Sequence, residues 1–165
     1  MNDIPKIMLI EQESFHDNVI ESKDVFQERI GVFSEGFLIL ETEDNIAGYI
    51  CSELWEHSEN IDTEKLSLNH KISDTHKNTG SDLYIASIGV LGRYRGKGYG
   101  SILLNELEER VKITHDVSAI LLAVSVKWEA ARGIYEKNGF EEVQRIKGFF
   151  EDEDISDAIV MKKIL

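Results

Sequence analysis

Apolar and polar positions follow two rhythms along this chain. Near its start, Ile4, Ile7, Ile10 and Phe15 recur at helical spacing behind Asp3 and Pro5, a capping residue and a first-turn proline, so a helix is predicted there. Val25, Phe26 and Ile30 predict a second helix that starts at Ser22 and stops at Gly31. Residues 37–41 and 46–54 then read as two strands, joined through Asp44-Asn45 into an antiparallel hairpin that Trp55 ends.

Residues 56–80 are polar and lack sustained periodicity, which is long for a connection in a compact domain and marks it as functional or disordered. An apolar run over 83–90 reads as a central strand. After a turn crowded with glycine and cation, Ile102, Leu103, Leu104, Leu107 and Val111 predict a helix from Gly98 to about Lys112. A buried strand over 120–124 precedes a helix over about 128–137. Strands over 140–146 and 158–164 follow, with the charge run Glu151-Asp152-Glu153-Asp154 between them expected to be a solvated turn. The order α-α-β-β-β-α-β-α-β-β implies an α/β (α+β) fold, a mixed central sheet flanked by helices. With no linker, repeat or low-complexity tract, residues 1–165 are expected to be one domain.

Composition narrows the picture. A 165-residue chain with 42% hydrophobic residues is large enough for a core without staples. Cys51 is its single cysteine, in an apolar strand, so a buried structural thiol in a reducing compartment is expected. No apolar run is long enough to span a bilayer and no signal pattern leads the chain, so a cytoplasmic protein without a membrane partner is expected. A formal net charge of −13 argues against nucleic acid and is compatible with a cationic substrate such as an amine. His57, His70 and His76 match no metal-ligand spacing; no metal is expected, and all three are read as solvated loop residues.

Against that acidic background the turn after the central strand is out of character. Gly96, Gly98 and Gly100 let the backbone approach a ligand and turn successive N–H groups outward at a helix start. Arg93, Arg95 and Lys97 add positive charge, so the turn suits a phosphorylated ligand. Two phosphate-binding patterns are excluded. The dinucleotide fingerprint needs G-x-G-x-x-G at the first strand-to-helix turn, and the Walker pattern needs Ser or Thr after the lysine, where Gly98 stands.

The stretch resembles the pyrophosphate loop of the GCN5-related N-acetyltransferases, Arg/Gln-x-x-Gly-x-Gly/Ala, with Arg95, Gly98 and Gly100 in the signature positions. The frame Arg93, Gly96, Gly98 also fits, and spacing to Val90 and Leu103 favours the former. Residues 130–140, with Ala131, Tyr135, Gly139 and Phe140, resemble the family's next motif, a helix carrying Ala-x-x-x-Tyr and stopped by Gly-Phe. The family's usual leading strand is missing or atypical, because Met1 almost coincides with the first helix.

The resemblance implies acetyl transfer from acetyl-CoA to a primary amine. Backbone groups of Ile88 and Val90 would hold the pantetheine arm, Val90 N–H would face the thioester oxygen, and Arg95, Gly96, Lys97, Gly98, Tyr99, Gly100 and Ser101 would hold the pyrophosphate. Tyr135 would be the general acid, since a phenol anchored in apolar packing can donate to a departing thiolate. Trp128 stands where the family often has asparagine. No general base is identified by resemblance: serotonin-type relatives carry histidines at the positions of Ala86 and Leu91, and ribosomal-protein alanine acetyltransferases a glutamate at that of Ala123. Glu53, Tyr84, Ser87 and His70 are candidates to order a water or accept a proton.

Two acceptors stay open. The insertion at 56–80 and the acidic surface suggest a small amine, while residues 147–161 resemble the tail of the ribosomal-protein enzymes and suggest a protein N-terminus. A homodimer is possible. The alternative from another class is a non-catalytic acyl-CoA-binding or regulatory module, and a nucleotide-dependent enzyme using the same glycine loop ranks below both.

Overall fold

The computed structural model describes residues 3–43, 45–151 and 155–165. Two helices, α1 (Ile4–Ser14) and α2 (Lys23–Val32), precede the strands β1 (Phe37–Glu41) and β2 (Ile46–Trp55). After a short helix α3 (Ile72–Thr75) come β3 (Asp82–Val90), α4 (Tyr99–Thr114), β4 (Ala119–Ser125), α5 (Glu129–Lys137), β5 (Glu141–Glu151) and β6 (Ile155–Ile164). The strands form one six-stranded sheet in the order β1-β2-β3-β4-β6-β5, in which only β3 and β4 run parallel. The expected mixed sheet is therefore present, and no strand precedes α1 among the described residues.

The two faces of the sheet carry different helices. Leu103, Leu104, Leu107 and Val111 of α4 pack with Tyr135 of α5 on Ile50, Leu54, Leu83, Ile85, Ile120 and Leu122. On the other face Ile4, Ile7 and Ile10 of α1 join Phe26 of α2 around Tyr49, Cys51 and Leu91. Strand β2 is buried along its whole length because it is covered on both faces.

Several boundaries differ from expectation for local reasons. Asp3 gives no side-chain cap; its backbone carbonyl accepts from Lys6 and Ile7 instead. Helix α2 runs past Gly31 to Val32 because tertiary burial of Phe26 and Arg29 outweighs the glycine's cost. The last two strands are longer than predicted. Gly148, at φ +61°, lets β5 bulge between Ile146 and Phe150 and resume pairing, so the glycine interrupts the ladder without ending it. Glu151 thus closes β5, while Asp152, Glu153 and Asp154 of the expected acidic turn, like Asp44 of the first hairpin, lie outside the described residues.

The polar stretch 56–80 is folded rather than loose. His76 Nδ1 accepts the Leu54 N–H at 3.1 Å, its ring lies 4.7 Å from that of Phe33, and Lys77 N–H donates to Leu54 O at 2.8 Å. His70 is not solvated as expected: its side chain is 9% exposed, with Nε2 2.8 Å from Glu53 Oε1. Burial lowers the His70 pKa, and the hydrogen bond and charge of Glu53 outweigh that to leave it raised. Only His57, 55% exposed beside Asp82, keeps the solvated character predicted for all three.

One buried ion pair ties these parts together. Arg29 on α2 is 1% exposed and grips Glu21 with both terminal nitrogens, Nη2 donating to Oε1 at 2.8 Å. Glu21 Oε1 also accepts the Asn69 N–H at 3.1 Å, so helix, connection and the 56–80 stretch share one carboxylate. Removing one partner strands a charge in a dry site. Arg29→Met is expected to lower unfolding free energy by about 3–5 kcal/mol in urea titrations, and Arg29→Met with Glu21→Leu to recover a large part of it.

Candidate active site

Strands β3 and β4 are hydrogen-bonded neighbours only from Asp82↔Ala119 to Ile85↔Leu122. Beyond that point β3 stays with β2 as far as Val90, and β4 stays with β6 as far as Ser125, so the two strands part and open a cleft in the sheet. The separation starts where β3 carries a bulge: Cys51 faces Ser87 and Ser52 faces Ile85, leaving Ala86 as the extra residue. The cleft has a volume of about 950 Å³.

Its strand wall presents free backbone. Leu91 N–H donates to Ala47 O on β2 at 2.9 Å, so by strand alternation the amides of Ile88 and Val90 face away from β2, into the opening. Val90 O accepts from Arg95 Nε at 2.9 Å, which agrees with that orientation.

The glycine turn stands at one end. Gly96 and Gly98 take φ of +72° and +83°, conformations that disfavour a Cβ, and Gly98 is the left-handed cap from which α4 starts. The first α4 hydrogen bond runs from Ile102 N–H to Gly98 O, so the N–H groups of Tyr99, Gly100 and Ser101 precede the ladder, at the positive end of a 16-residue helix with no acidic residue in its first turn. Gly100 differs from the other two: its φ is ordinary and a Cβ there would sit 3.6 Å from Ile134.

The three cations are placed less uniformly than their spacing suggests. Arg95 turns back, its Nη2 donating to Glu13 O at 2.9 Å and Ser14 Oγ at 3.1 Å, so it caps α1 and ties that helix to the end of β3. Arg93 and Lys97 both lie over the Tyr94 ring, at 4.9 and 5.3 Å. Ile88, Val90, Arg95, Gly96, Gly98, Tyr99, Gly100, Ser101 and Tyr135 all line the cleft, whereas Lys97 does not. Ser101 Oγ accepts from Asn138 Nδ2 at 3.0 Å, which holds the end of α5 against the first turn of α4.

Tyr135 is 7% exposed, and burial pushes its phenol above the ordinary tyrosine range, so the hydroxyl keeps its proton at neutral pH. Trp128 bridges the two lips of the cleft, with ring centroids 5.5 Å from Phe15 after α1 and 5.0 Å from Phe150 on β5. Phe15, Val19, Leu68, Phe149 and Phe150 cluster as an apolar part of the cleft lining, with Leu66 also in the wall.

Of the four residues considered for proton transfer, Tyr84 and Ser87 reach the cleft and Glu53 and His70 do not. Glu53 is 0% exposed and already accepts from Trp55 Nε1 at 2.6 Å and Thr75 Oγ1 at 2.9 Å, besides its contact with His70. Cys51 is buried, and burial pushes its thiol up to about 12 against the pull of Arg29, which rules out a thiolate at neutral pH. Among the described residues no group of three His, Cys, Asp or Glu side chains is placed to hold a metal ion. No helix among them is long and apolar enough to cross a membrane.

Glu11, a residue that sequence reasoning missed, also lines the cleft and is 1% exposed. Tyr49 Oη donates to its Oε1, Glu21 N–H donates to its Oε2 at 3.3 Å, and Ser87 Oγ lies 3.4 Å from Oε1. Its signal was position: four residues after Ile7, it sits on the buried stripe of α1, where a carboxylate needs a reason.

A parted parallel strand pair, an N–H-rich glycine turn and a helix bearing Tyr135 thus meet in one cleft. Residues 4–140 match the model of the acetyltransferase (GNAT) family. The chain belongs to that family. It is an acetyl-CoA-dependent acetyltransferase, and its reaction moves an acetyl group from acetyl-CoA to an amine.

Among relatives, an N-alpha-acetyltransferase of Saccharolobus solfataricus is 27% identical over 165 residues, 100% of this chain and 89% of its own. An N-alpha-acetyltransferase 50 of Danio rerio is 31% identical over 90 residues, 54% of each chain. In fold the chain resembles Naa50 of Arabidopsis thaliana in complex with the bisubstrate analogue CoA-Ac-MVNAL, at TM-score 0.73, 23% identity and 98% and 92% coverage. It also resembles the ribosomal-protein-S18-alanine N-acetyltransferase of Escherichia coli, at TM-score 0.72, 21% identity and 99% and 88% coverage.

Glu11 gives this acetyltransferase a measurable pH signature. Burial, with the nearby charge of Glu21, raises its pKa from 4.5 to about 7 although Tyr49 opposes the shift. The folded state therefore holds this proton more tightly than the unfolded chain, so the stability is complete below about pH 4.5 and declines as pH rises to about 7, by on the order of 3 kcal/mol. Glu11→Gln is expected to remove that decline, read from chemical unfolding at a series of pH values across the window.

Proposed function

We propose that this acetyltransferase modifies the α-amine of a protein or peptide N-terminus. The observation that carries the reading is the cleft itself, which opens where β3 and β4 part and is lined by free amides, a glycine turn and an apolar cluster, so that one cavity can hold both carrier and acceptor. Full-length likeness to a curated N-alpha-acetyltransferase supports the same class of acceptor. An apolar chamber beside the amine site suits the side chain of a first residue such as methionine, and the acidic chain favours approach of a cationic terminus. A buried lone thiol is in keeping with work in the cytoplasm.

Each group has a task in that reaction. The N–H groups of Tyr99, Gly100 and Ser101, with the left-handed turn at Gly96 and Gly98, take the pyrophosphate of coenzyme A, and the helix dipole adds to them. Arg95 acts on that loop by anchoring it to α1 and β3, with Lys97 contributing charge from outside the cleft. Ile88 and Val90 pair with the pantetheine arm as a further strand would, and Val90 N–H polarises the thioester carbonyl. The attacking amine forms the C–N bond, the C–S bond breaks, and Tyr135 donates a proton to the departing sulfur.

Incubation with acetyl-CoA and the peptide Met-Val-Asn-Ala-Leu is expected to release thiol and add one acetyl group to the peptide by mass spectrometry. The same peptide with a blocked terminus gives none. Exclusive turnover of small amines would overturn the protein-acceptor reading, and coenzyme A binding without turnover of any amine would favour a binding module.

Two substitutions separate carrier binding from chemistry. Gly98→Val is expected to weaken coenzyme A binding in calorimetry at least about 10-fold, because the turn loses its left-handed geometry. Tyr135→Phe is expected to keep coenzyme A affinity and lower kcat by about 10²-fold, the usual size of a lost proton-transfer group.

A further inference from the structure

We infer that Ser87, Tyr49 and Glu11 form a hydroxyl relay that carries the proton of the acceptor ammonium from the cleft to a buried carboxylate, which makes Glu11 the general base of the reaction. The inference rests on the proposed function above, since it assigns the base that acetyl transfer requires. Neither of the base positions suggested by related acetyltransferases is available: Ala86, Leu91 and Ala123 have no titratable side chain.

The geometry supplies a continuous path. Ser87 lies on β3 immediately before Ile88, the first amide that faces the opening, and its half-buried side chain lines the cleft. Its Oγ is 2.6 Å from Tyr49 Oη. Tyr49, 0% exposed, donates onward to Glu11 Oε1. The direct separation of Ser87 Oγ from Glu11 Oε1, 3.4 Å, is long beside those two bonds, so the phenol is the better conductor.

The other end of the relay is held in place. Tyr49 is locked between Phe26 and Phe37, with ring centroids 5.5 and 5.9 Å away. Glu11 is oriented by the Glu21 N–H on its second oxygen. The charged and titratable groups around it are Glu21 on the connection after α1, Arg29 on α2, and Tyr49 and Cys51 on β2. Arg29 is committed to Glu21, so among the described residues no cation neutralises Glu11 directly, and its pKa of about 7 suits a base working near neutral pH.

The proton count closes. The acceptor ammonium gives a proton to Ser87 Oγ as the Ser87 hydroxyl proton passes to Tyr49 Oη and the Tyr49 proton passes to Glu11 Oε1. The neutral amine then attacks the acetyl carbon, the C–S bond breaks with its electron pair on sulfur, Tyr135 protonates that sulfur, and the second nitrogen proton passes to Tyr135 to restore its hydroxyl. Glu11 returns its proton to solvent through the same hydroxyls once the product leaves.

The test is the pH dependence of kcat/KM for Met-Val-Asn-Ala-Leu in wild type, Glu11→Gln, Tyr49→Phe and Ser87→Ala, with coenzyme A affinity and melting temperature measured on each. Wild type is expected to show an acidic limb near pH 7. At pH 7, where only about a tenth of the peptide amine is neutral, each variant is expected to lose about 10-fold, and to recover toward wild type above about pH 8, where the amine is neutral without help. A constant loss at every pH in variants that bind coenzyme A normally would overturn the relay, as would an unchanged acidic limb in Glu11→Gln. Ser87→Ala lies at the cleft surface and keeps the test decisive should a buried substitution fail to fold. If wild type acetylates only a small amine, the protein-acceptor reading fails and the relay is tested on that amine by the same ratios; a wild type inert toward every amine overturns both.

Discussion

The parting of β3 from β4 is the constraint on which the rest of this structure depends. A parallel pair normally keeps its ladder, since each unpaired amide facing an apolar interior costs free energy. Here four residue pairs hold the strands together and the next residues separate, leaving the amides of Ile88 and Val90 without a strand partner. Such a cleft persists only if the backbone on each side is secured from elsewhere, and β2 and β6 do so by pairing with β3 and β4 along their outer edges. The unsatisfied edge is left free to pair with an extended, amide-bearing chain, as the proposed function requires.

Both ends of the cleft are stiffened by contacts that do not involve a ligand. Arg95 joins Val90 O to Glu13 O and Ser14 Oγ at the end of α1, which ties the glycine turn and the end of the strand to the first helix. Asn138 does the same for α4 and α5 through Ser101 Oγ. An arginine in a phosphate-loop signature thus works here chiefly as a brace, and the positive field is left to the helix terminus and to cations resting on Tyr94. Preorganisation of this kind lowers the ordering cost of binding.

Much of the fold was legible because its signals are local. Glycines at the strand-to-helix turn, the apolar spacing of α4 and the Tyr-x-x-x-Gly-Phe close of α5 each report the backbone they sit on. What could not be read depends on contacts distant in sequence. Gly148 has the chemistry of a turn residue, and only the register with β6 shows that β5 continues beyond it. His70 looks like any polar loop residue until Glu53, seventeen positions earlier, is found buried against it. For the same reason Glu53 looked available for proton transfer although three donors occupy it.

Glu11, the proposed base, illustrates why such a group is invisible in a linear chain. Its partners, Tyr49 and Ser87, lie 38 and 76 positions away, on strands whose register is set by the bulge at Ala86. That bulge also begins the parting of β3 from β4. In a regular ladder Ala86 would face Cys51 and Ser87 would face Ile50, so the Ser87 side chain would turn to the opposite face of the sheet, away from Tyr49 and α1. The same irregularity therefore starts the cleft and turns a serine hydroxyl toward a buried carboxylate, so the proposed carrier site and the proposed relay depend on one feature of the backbone.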